Sequence, residues 1–351
     1  MALVTIPNVR IKGITACVPP RVEENLDIPV FNPGEAERVI AQTGIKRKHV
    51  VDEGVCVSDL CIKAGESLMA ELGWERETIG AIGFVSLAPD YLEPPTACVL
   101  QGRLDLSEDC FALDMSHGCP GWVNGFFTLA SLVSHGDIKH AILFNGDTPT
   151  QGTSPFDKES RPLFGDAGIA TALEFDTKAP AIEFHLGTRG KDFKAIWKEY
   201  GGRRNPITLE ALEYKEIGEH IVRRGIDATM DGMSVFAFGM TMAPKSVNTL
   251  CEHYGINKDG VDKFIFHQAN QYMNERIRKK LKLESERVPY SLKDYGNTGS
   301  ASIPLTLVTQ CHDEYAMKEM ETIACAFGVG LAWGSVHFHT NKMVCPEVII
   351  Y

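Results

Sequence analysis

A cysteine, a histidine and an asparagine each stand where a strand pattern gives way to a helix pattern. Cys119 lies in Asp114-Met-Ser-His-Gly-Cys-Pro-Gly-Trp122. Before it, Asp109–Met115 alternates in a β pattern; after it, Val123, Phe126, Phe127, Leu129 and Leu132 recur at helical spacing from Gly121. A thiol at a helix N-terminus meets the positive end of the dipole and unpaired N–H groups. Both favour thiolate, the form that attacks carbonyls. The competing reading of one such cysteine is a buried, inert thiol. His267 ends the apolar run that starts at Val261 and precedes a helix pattern over Gln271–Leu281. Asn297 lies in Tyr290–Ser302, which reads as a strand, a polar turn and the start of a helix. A lone histidine at a strand end is as well explained by structure. Junctions of this kind face the ligand edge of an α/β sheet, so three together point to one site acting on a carbonyl.

The elements that must hold these residues alternate along the chain. Strand patterns run over Ile79–Leu87, Cys110–Met115 and His140–Asn145, and again over Phe264–His267 and Thr322–Phe327. Helix patterns cover Ile62–Leu72, Gly125–Val133 and Asn274–Leu281. The alternation predicts α/β layers around mostly parallel sheets. No linker or low-complexity tract divides the chain, and the letters show no internal repeat. Its 351 residues fit one large or two ordinary domains, and 44% apolar with 23% charged is ordinary globular composition. A net charge of −11 argues against nucleic acid or an anionic membrane as a general partner. Apolar runs such as Ala141–Phe144 are too short to span a bilayer, and Met1–Ile6 lacks the pattern of a signal peptide. The ten cysteines show neither CxxC pairs nor Cys/His ligand spacing. They read as reduced cytoplasmic thiols, with no disulfide framework and no zinc site.

Cys119 and five further segments together resemble the ketoacyl-ACP synthase III family of the thiolase superfamily. Thr43-Gly-Ile-Lys-Arg-Lys-His49 is similar to that family's TGI segment, and Phe164-Gly-Asp-Ala-Gly168 to its FGDGA turn. His267-Gln-Ala-Asn270, Gly296-Asn-Thr-Gly-Ser-Ala-Ser302 and Phe327-Gly-Val-Gly-Leu-Ala-Trp-Gly-Ser335 match HQAN, GNTSAAS and FGGGFTWGS in order. Asn297 separates the chain from elongating synthases, which use Cys-His-His. Gly328-Val-Gly-Leu-Ala separates it from chalcone-type enzymes, which carry GFGPG. The resemblance implies an α/β, thiolase-like five-layer αβαβα sandwich of two similar halves. Residues 1–175 would carry the nucleophile and residues 176–351 the histidine and asparagine, with the boundary near Asp176–Pro180. It further implies a cytoplasmic homodimer that takes CoA or ACP thioesters as substrates, meets an acyl-carrier protein, and uses no cofactor or metal.

The same resemblance assigns roles. Cys119 would take an acyl group from a thioester, with the backbone N–H groups of Cys119 and Val329 as the oxyanion hole. Gly328 and Gly330 would let the backbone turn sharply beside the substrate; a β-bulge or tight turn is the plainer reading. His267 and Asn297 would donate N–H bonds to the enolate left when malonyl-ACP loses CO₂. That role needs His267 neutral, which burial favours. Gly232, Phe236 and Asn270 would face the pantetheine arm. His117 is a candidate base or a wall residue, Asp166 a turn former, and His337 and His339 structural residues on a terminal strand.

The chain departs from the family pattern in two places. Where acetyl-CoA-priming members carry Trp and Arg around adenine, it has Arg38 and Gln42, and Lys158 replaces a further arginine. Acyl-carrier protein is then an alternative donor, and the basic helix segment Arg276–Lys280 a surface for it or a solvated face. Glu93 stands where priming enzymes place a phenylalanine that reaches into the partner subunit, as in head-to-head condensing thiolases of olefin synthesis. It is a base at an α-carbon, or an interface carboxylate. Rival activities are head-to-head joining of two acyl thioesters and acyl transfer to an alcohol or amine. A non-catalytic carrier-binding subunit and a Cys-His hydrolase complete the field. The intact triad speaks against the former, and no hydrolase motif supports the latter.

Overall fold

The apolar alternation builds two large sheets in a computed structural model that describes residues 2–351. The first runs, in spatial order, Ile349–Ile350, Val9–Val18, Ala167–Phe175, His140–Asp147, Ile79–Val85 and Phe111–Met115. The second runs Ala2–Ile6, Ile182–Thr188, Ala332–Asn341, Glu319–Gly328 and Lys263–Phe266. Each terminal strand therefore sits in the sheet of the opposite half. Asp176–Pro180 links the last inner strand of the first sheet to Ile182–Thr188 of the second.

The expectation of mostly parallel sheets is corrected. Ile79–Val85 is parallel to both its neighbours, but Ala167–Phe175 is antiparallel to the strands on either side. In the second sheet only Lys263–Phe266 and Glu319–Gly328 run parallel. Glu319–Gly328 and Ala332–Asn341 are joined by the three residues 329–331, a connection short enough only for an antiparallel pair.

Burial sorts the helices into three layers. Gly121–Val133 and Ser302–Met317 lie between the sheets, in a core shared with Val85 and Leu143 on one side and Phe184, Ala324 and Phe338 on the other. Trp122, Phe126 and Phe338 pack edge to face there. Val57–Leu72 and Thr96–Arg103 cover the outer face of the first sheet. Gly232–Tyr254 and Gln271–Leu281 cover the outer face of the second. The order helix, sheet, helix, sheet, helix is the five-layer sandwich. Among the described residues no helix is long and apolar enough to cross a membrane.

One element differs locally from its pattern. The stretch before Asn297 contains no strand: Leu292–Tyr295 is a single helical turn, and Asn297 pairs with Phe164 in one isolated bridge. The Ser291 N–H donates to Gln268 Oε1 at 3.2 Å, so a side chain replaces the ladder partner a strand would need.

Candidate active site

Parallel strands put their C-terminal ends on one edge, and the chemistry collects there. Cys119 follows Phe111–Met115, Ser86 follows Ile79–Val85, and Asp147 ends the strand beside them. From the second sheet, His267 follows Lys263–Phe266 and Gly328 ends the parallel neighbour.

Gly328 and Val329 close on the cysteine. A Cβ built on Gly328 would stand 2.6 Å from Cys119 Sγ, and its φ of 156° lies where side chains are rare. Val329 in turn packs on Gly118, where an added Cβ would meet Val329 Cγ2 at 2.8 Å. The N–H groups of Val329 and of Cys119 itself both act on the thiol and favour its anion. Burial outweighs them and pushes the thiol up to about 11. This corrects the expectation of a lowered value at the helix N-terminus. Cys119 is half-buried under the Gly328–Val329 turn, and the loss of water around its thiol costs the anion more than the dipole returns.

His267 is buried beside the same turn, its ring edge-on to Phe327 with centroids 5.9 Å apart. Its N–H donates to the Cys325 carbonyl at 2.9 Å, and its own carbonyl accepts from Asn274 Nδ2 at 3.1 Å. Nδ1 lies 2.7 Å from Ser302 Oγ. With that hydroxyl donating, Nε2 carries the ring proton. Burial holds the imidazole down to about 4, so it is neutral at ordinary pH.

Asn297 Oδ1 accepts from the Gly299 N–H at 3.0 Å, which leaves Nδ2 as the donor. Its backbone is clamped by Leu163 (2.8 Å) and Gly165 (3.1 Å). The turn that follows reaches the cysteine helix: a Cβ on Gly121 would stand 3.0 Å from Ser300 Cβ.

Asp147 is the member that sequence reasoning missed. It is fully enclosed and accepts from Ser86 Oγ (3.1 Å), Leu87 N (2.9 Å), Ser300 N (3.1 Å) and Ser300 Oγ (2.9 Å). Its charge also opposes the Cys119 thiolate, and burial raises its own pKa despite the four bonds. Asn145 Nδ2 adds a bond to the Ser300 carbonyl at 2.9 Å. The two side chains tie the asparagine turn to the first sheet. An acid ending the apolar run Ala141–Phe144 was the available signal.

The other expected residues fall in several places. His117 is partly buried, and its Nδ1 makes no hydrogen bond, so nothing joins it to the thiol. Asp166 accepts from Val51 N and Thr150 N at 2.8 and 3.2 Å, as a turn anchor does. Asn270 caps the helix Gln271–Leu281 through Met273 N at 2.8 Å. Phe236 stacks on Tyr272, and the Arg276 guanidinium lies 4.6 Å over that same ring. Arg38, Gln42 and Lys158 line one cavity of about 590 Å³ together with Gly232. Leu163 and Phe164, which hold Asn297, form part of its wall. Glu93 lies on an exposed loop with Tyr91 and Leu92 and makes no hydrogen bond among the described residues.

Comparison with known proteins agrees in family and fold. Residues 113–190 match the family described as 3-oxoacyl-[acyl-carrier-protein (ACP)] synthase III, and residues 251–340 match its C-terminal counterpart. A putative 3-oxoacyl-[acyl-carrier-protein] synthase 3 from Campylobacter jejuni is 29% identical over 347 residues, 97% of each chain. A beta-ketoacyl-[acyl-carrier-protein] synthase III from Rhodopirellula baltica is 29% identical, covering 95% of this chain and 99% of its own. The crystal structure of a 3-oxoacyl-(acyl-carrier protein) synthase from Burkholderia xenovorans is 34% identical, with a TM-score of 0.93 and coverage of 99% and 98%.

Proposed function

The chain belongs to the ketoacyl-ACP synthase III family of the thiolase superfamily, a family of acyltransferases, and from that premise we propose that it loads an acyl group on Cys119 and condenses it with malonyl-ACP. The observation that carries this reading is the close approach of the Gly328–Val329 turn to the Cys119 thiol, where a Cβ on Gly328 would stand 2.6 Å from Sγ, with the Val329 and Cys119 N–H groups favouring its anion. A tetrahedral oxyanion formed at the acyl-thioester carbon would accept both, a pair of donors worth roughly 10²–10³ in rate for each one lost. Cys119 attacks the thioester carbonyl, the carrier thiol leaves, and the acyl-enzyme remains.

His267 and Asn297 serve the second step. Decarboxylation of malonyl-ACP leaves a thioester enolate, whose oxygen takes one N–H from His267 Nε2 and one from Asn297 Nδ2. A neutral imidazole suits this because an imidazolium would protonate the enolate instead. The enolate carbon then attacks the acyl-Cys119 carbonyl and yields a 3-oxoacyl-ACP. The steps draw on thioester chemistry alone, without redox or a cofactor.

The mouth bears on the donor. Arg38, Gln42 and Lys158 offer no ring to stack on adenine, and Lys158 is turned toward Glu35 at 3.4 Å and Glu219 at 3.8 Å. An acyl-carrier protein fits better than acetyl-CoA, and the Phe236–Tyr272–Arg276 tier gives its acidic surface and pantetheine arm a place to dock. We further propose a cytoplasmic homodimer. Its contact would cover Tyr91, Leu92 and the edge strand with exposed Phe111.

Mass spectrometry of the intact protein tests the reading. The protein is incubated with acyl-CoA and acyl-ACP donors, then with malonyl-ACP. An acyl adduct on Cys119 that malonyl-ACP discharges as CO₂ and 3-oxoacyl-ACP is the expected result. An adduct that only a second acyl thioester, an alcohol or an amine discharges would replace decarboxylative condensation with one of those transfers.

A further inference from the structure

The far end of the second sheet gathers side chains that acyl transfer leaves unused. His337 and His339 share one face of Ala332–Asn341. The register sets Glu321 opposite His339, and Glu183 opposite His337 on the other neighbour. His337 Nδ1 lies 2.8 Å from Glu183 Oε2, and its Nε2 lies 2.9 Å from Glu321 Oε1. The His339 ring stands edge-on to His337 with centroids 4.9 Å apart. One ligand atom from each of Glu321, His337 and His339 falls within 4.8 Å of the others.

The charges around the cluster do not balance it. Asp262 adds a carboxylate nearby, accepting from the Glu321 N–H at 2.7 Å. The neighbouring lysines are engaged elsewhere: Lys263 with Glu314 at 2.8 Å and Lys258 with Asn248 at 3.1 Å. A neutral imidazole has a single N–H. When Nδ1 gives it to Glu183, Nε2 turns a lone pair on the Glu321 carboxylate. Those two groups repel unless a second ring proton, which both carboxylates favour, or a metal cation lies between them.

We propose that Glu321, His337 and His339 bind a divalent transition cation of the zinc class, with Glu183 orienting His337 through Nδ1. Zinc takes imidazole nitrogen and carboxylate oxygen at about 2.0–2.2 Å, so tetrahedral ligand atoms stand about 3.4 Å apart. That separation lies between the observed 2.9 Å contact and the 4.8 Å limit of the group. A carboxylate on the second nitrogen of a ligating histidine fixes the ring and its tautomer. Three strands would be fastened: Ile182–Thr188 indirectly, Glu319–Gly328 and Ala332–Asn341 directly. The site is remote from the chemistry, since Glu321 precedes Gly328 by about 23 Å of extended strand. The rival arrangement is a doubly protonated His337 shared by two carboxylates, which involves neither metal nor His339.

Zinc titration by calorimetry on the full-length protein separates the two. Wild type, His339→Ala and Glu183→Gln are compared; zinc held by cysteine thiols is common to all three and cancels. The expected result is one equivalent of zinc lost in His339→Ala. In Glu183→Gln that equivalent is retained with affinity weakened about 10–100-fold. Added zinc should also raise the melting temperature of wild type more than that of His339→Ala, while Cys119 acylation without zinc is the same in both. Equal zinc stoichiometry and affinity in wild type and His339→Ala would overturn the proposal and leave the imidazolium–carboxylate cluster.

Discussion

At the scale of single residues, the resting nucleophile is a protonated thiol. Its environment opposes the anion, with the thiol pushed up to about 11. Alkylation of Cys119 by iodoacetamide should therefore climb about tenfold per pH unit from 7 to 10, following the thiolate fraction. A plateau already reached near pH 8 would contradict this. Cys119→Ala should form no acyl adduct by intact-mass analysis. His267 carries a second pH signature. Its folded pKa of about 4 lies below the unfolded value near 6.5, so the unfolded chain binds the extra proton between them. Stability is then lost as pH falls from 6.5 to 4, by about 3 kcal/mol at most from this group. Urea unfolding at pH 7 and pH 5 should show that loss in wild type and less of it in His267→Ala. In separated half-reactions, His267→Ala and Asn297→Ala should slow malonyl decarboxylation about 10²–10³-fold and Cys119 acylation far less. The three residue types, and the strand-to-helix junctions at Cys119 and His267, were legible in the letters. The direction of the cysteine shift was not, because a local dipole can be read from sequence while enclosure by a turn more than 200 residues away cannot.

Elements decide how those residues meet. The turn after Glu319–Gly328 works only if its backbone touches the thiol, so Gly328→Ala is a sharp test. The added methyl would meet Cys119 Sγ at 2.6 Å in a strained backbone. Acylation should fall at least about 10²-fold, while far-UV dichroism stays that of the wild type. Asp147→Asn asks whether the asparagine turn depends on its buried anchor. An amide offers one acceptor oxygen where the carboxylate offers two, and sets its NH₂ against N–H donors. A loss of about 1–3 kcal/mol in stability is expected, with decarboxylation impaired more than acylation. One helix was legible to the residue, since Gln271–Leu281 stands where its pattern put it; Ile62–Leu72 begins five residues earlier, at Val57, and Gly232–Tyr254 was not foreseen. The stretch before Asn297 was not legible either, since Gln268 supplies the partner that makes a ladder unnecessary.

For the whole molecule, layering followed from alternation, whereas strand direction did not. Short turns and long crossovers look alike in composition, and only pairing reveals which strands run antiparallel. The cluster of Glu183, Glu321, His337 and His339 was invisible for the same reason: its acids come from two other strands. The protruding loop poses a question of assembly. Leu92 is 94% exposed beside Glu93, and Leu92→Asp should shift sedimentation from dimer toward monomer. Glu93→Gln should leave Cys119 acylation intact. A drop of about 10²–10⁴ in condensation would make it a base, and an unchanged rate would make it an interface residue.

The exchanged terminal strands have a consequence for biosynthesis. Residues 343–351 run beside Val9–Val18, with Val344 bonded to Lys12 and Ile14, while Ala2–Ile6 waits for Ile182–Thr188. The ribosome thus releases Ala2–Ile6 long before Ile182–Thr188, and Ile349–Ile350 long after the Val9–Val18 strand it pairs with. Neither half can finish folding while the other is still being made, and closure links the two extremes of the chain, a pairing of high contact order and slow formation. Two co-expressed fragments cut at the Asp176–Pro180 connection would each keep a strand that belongs to the other, and would become stable only as a reassembled pair.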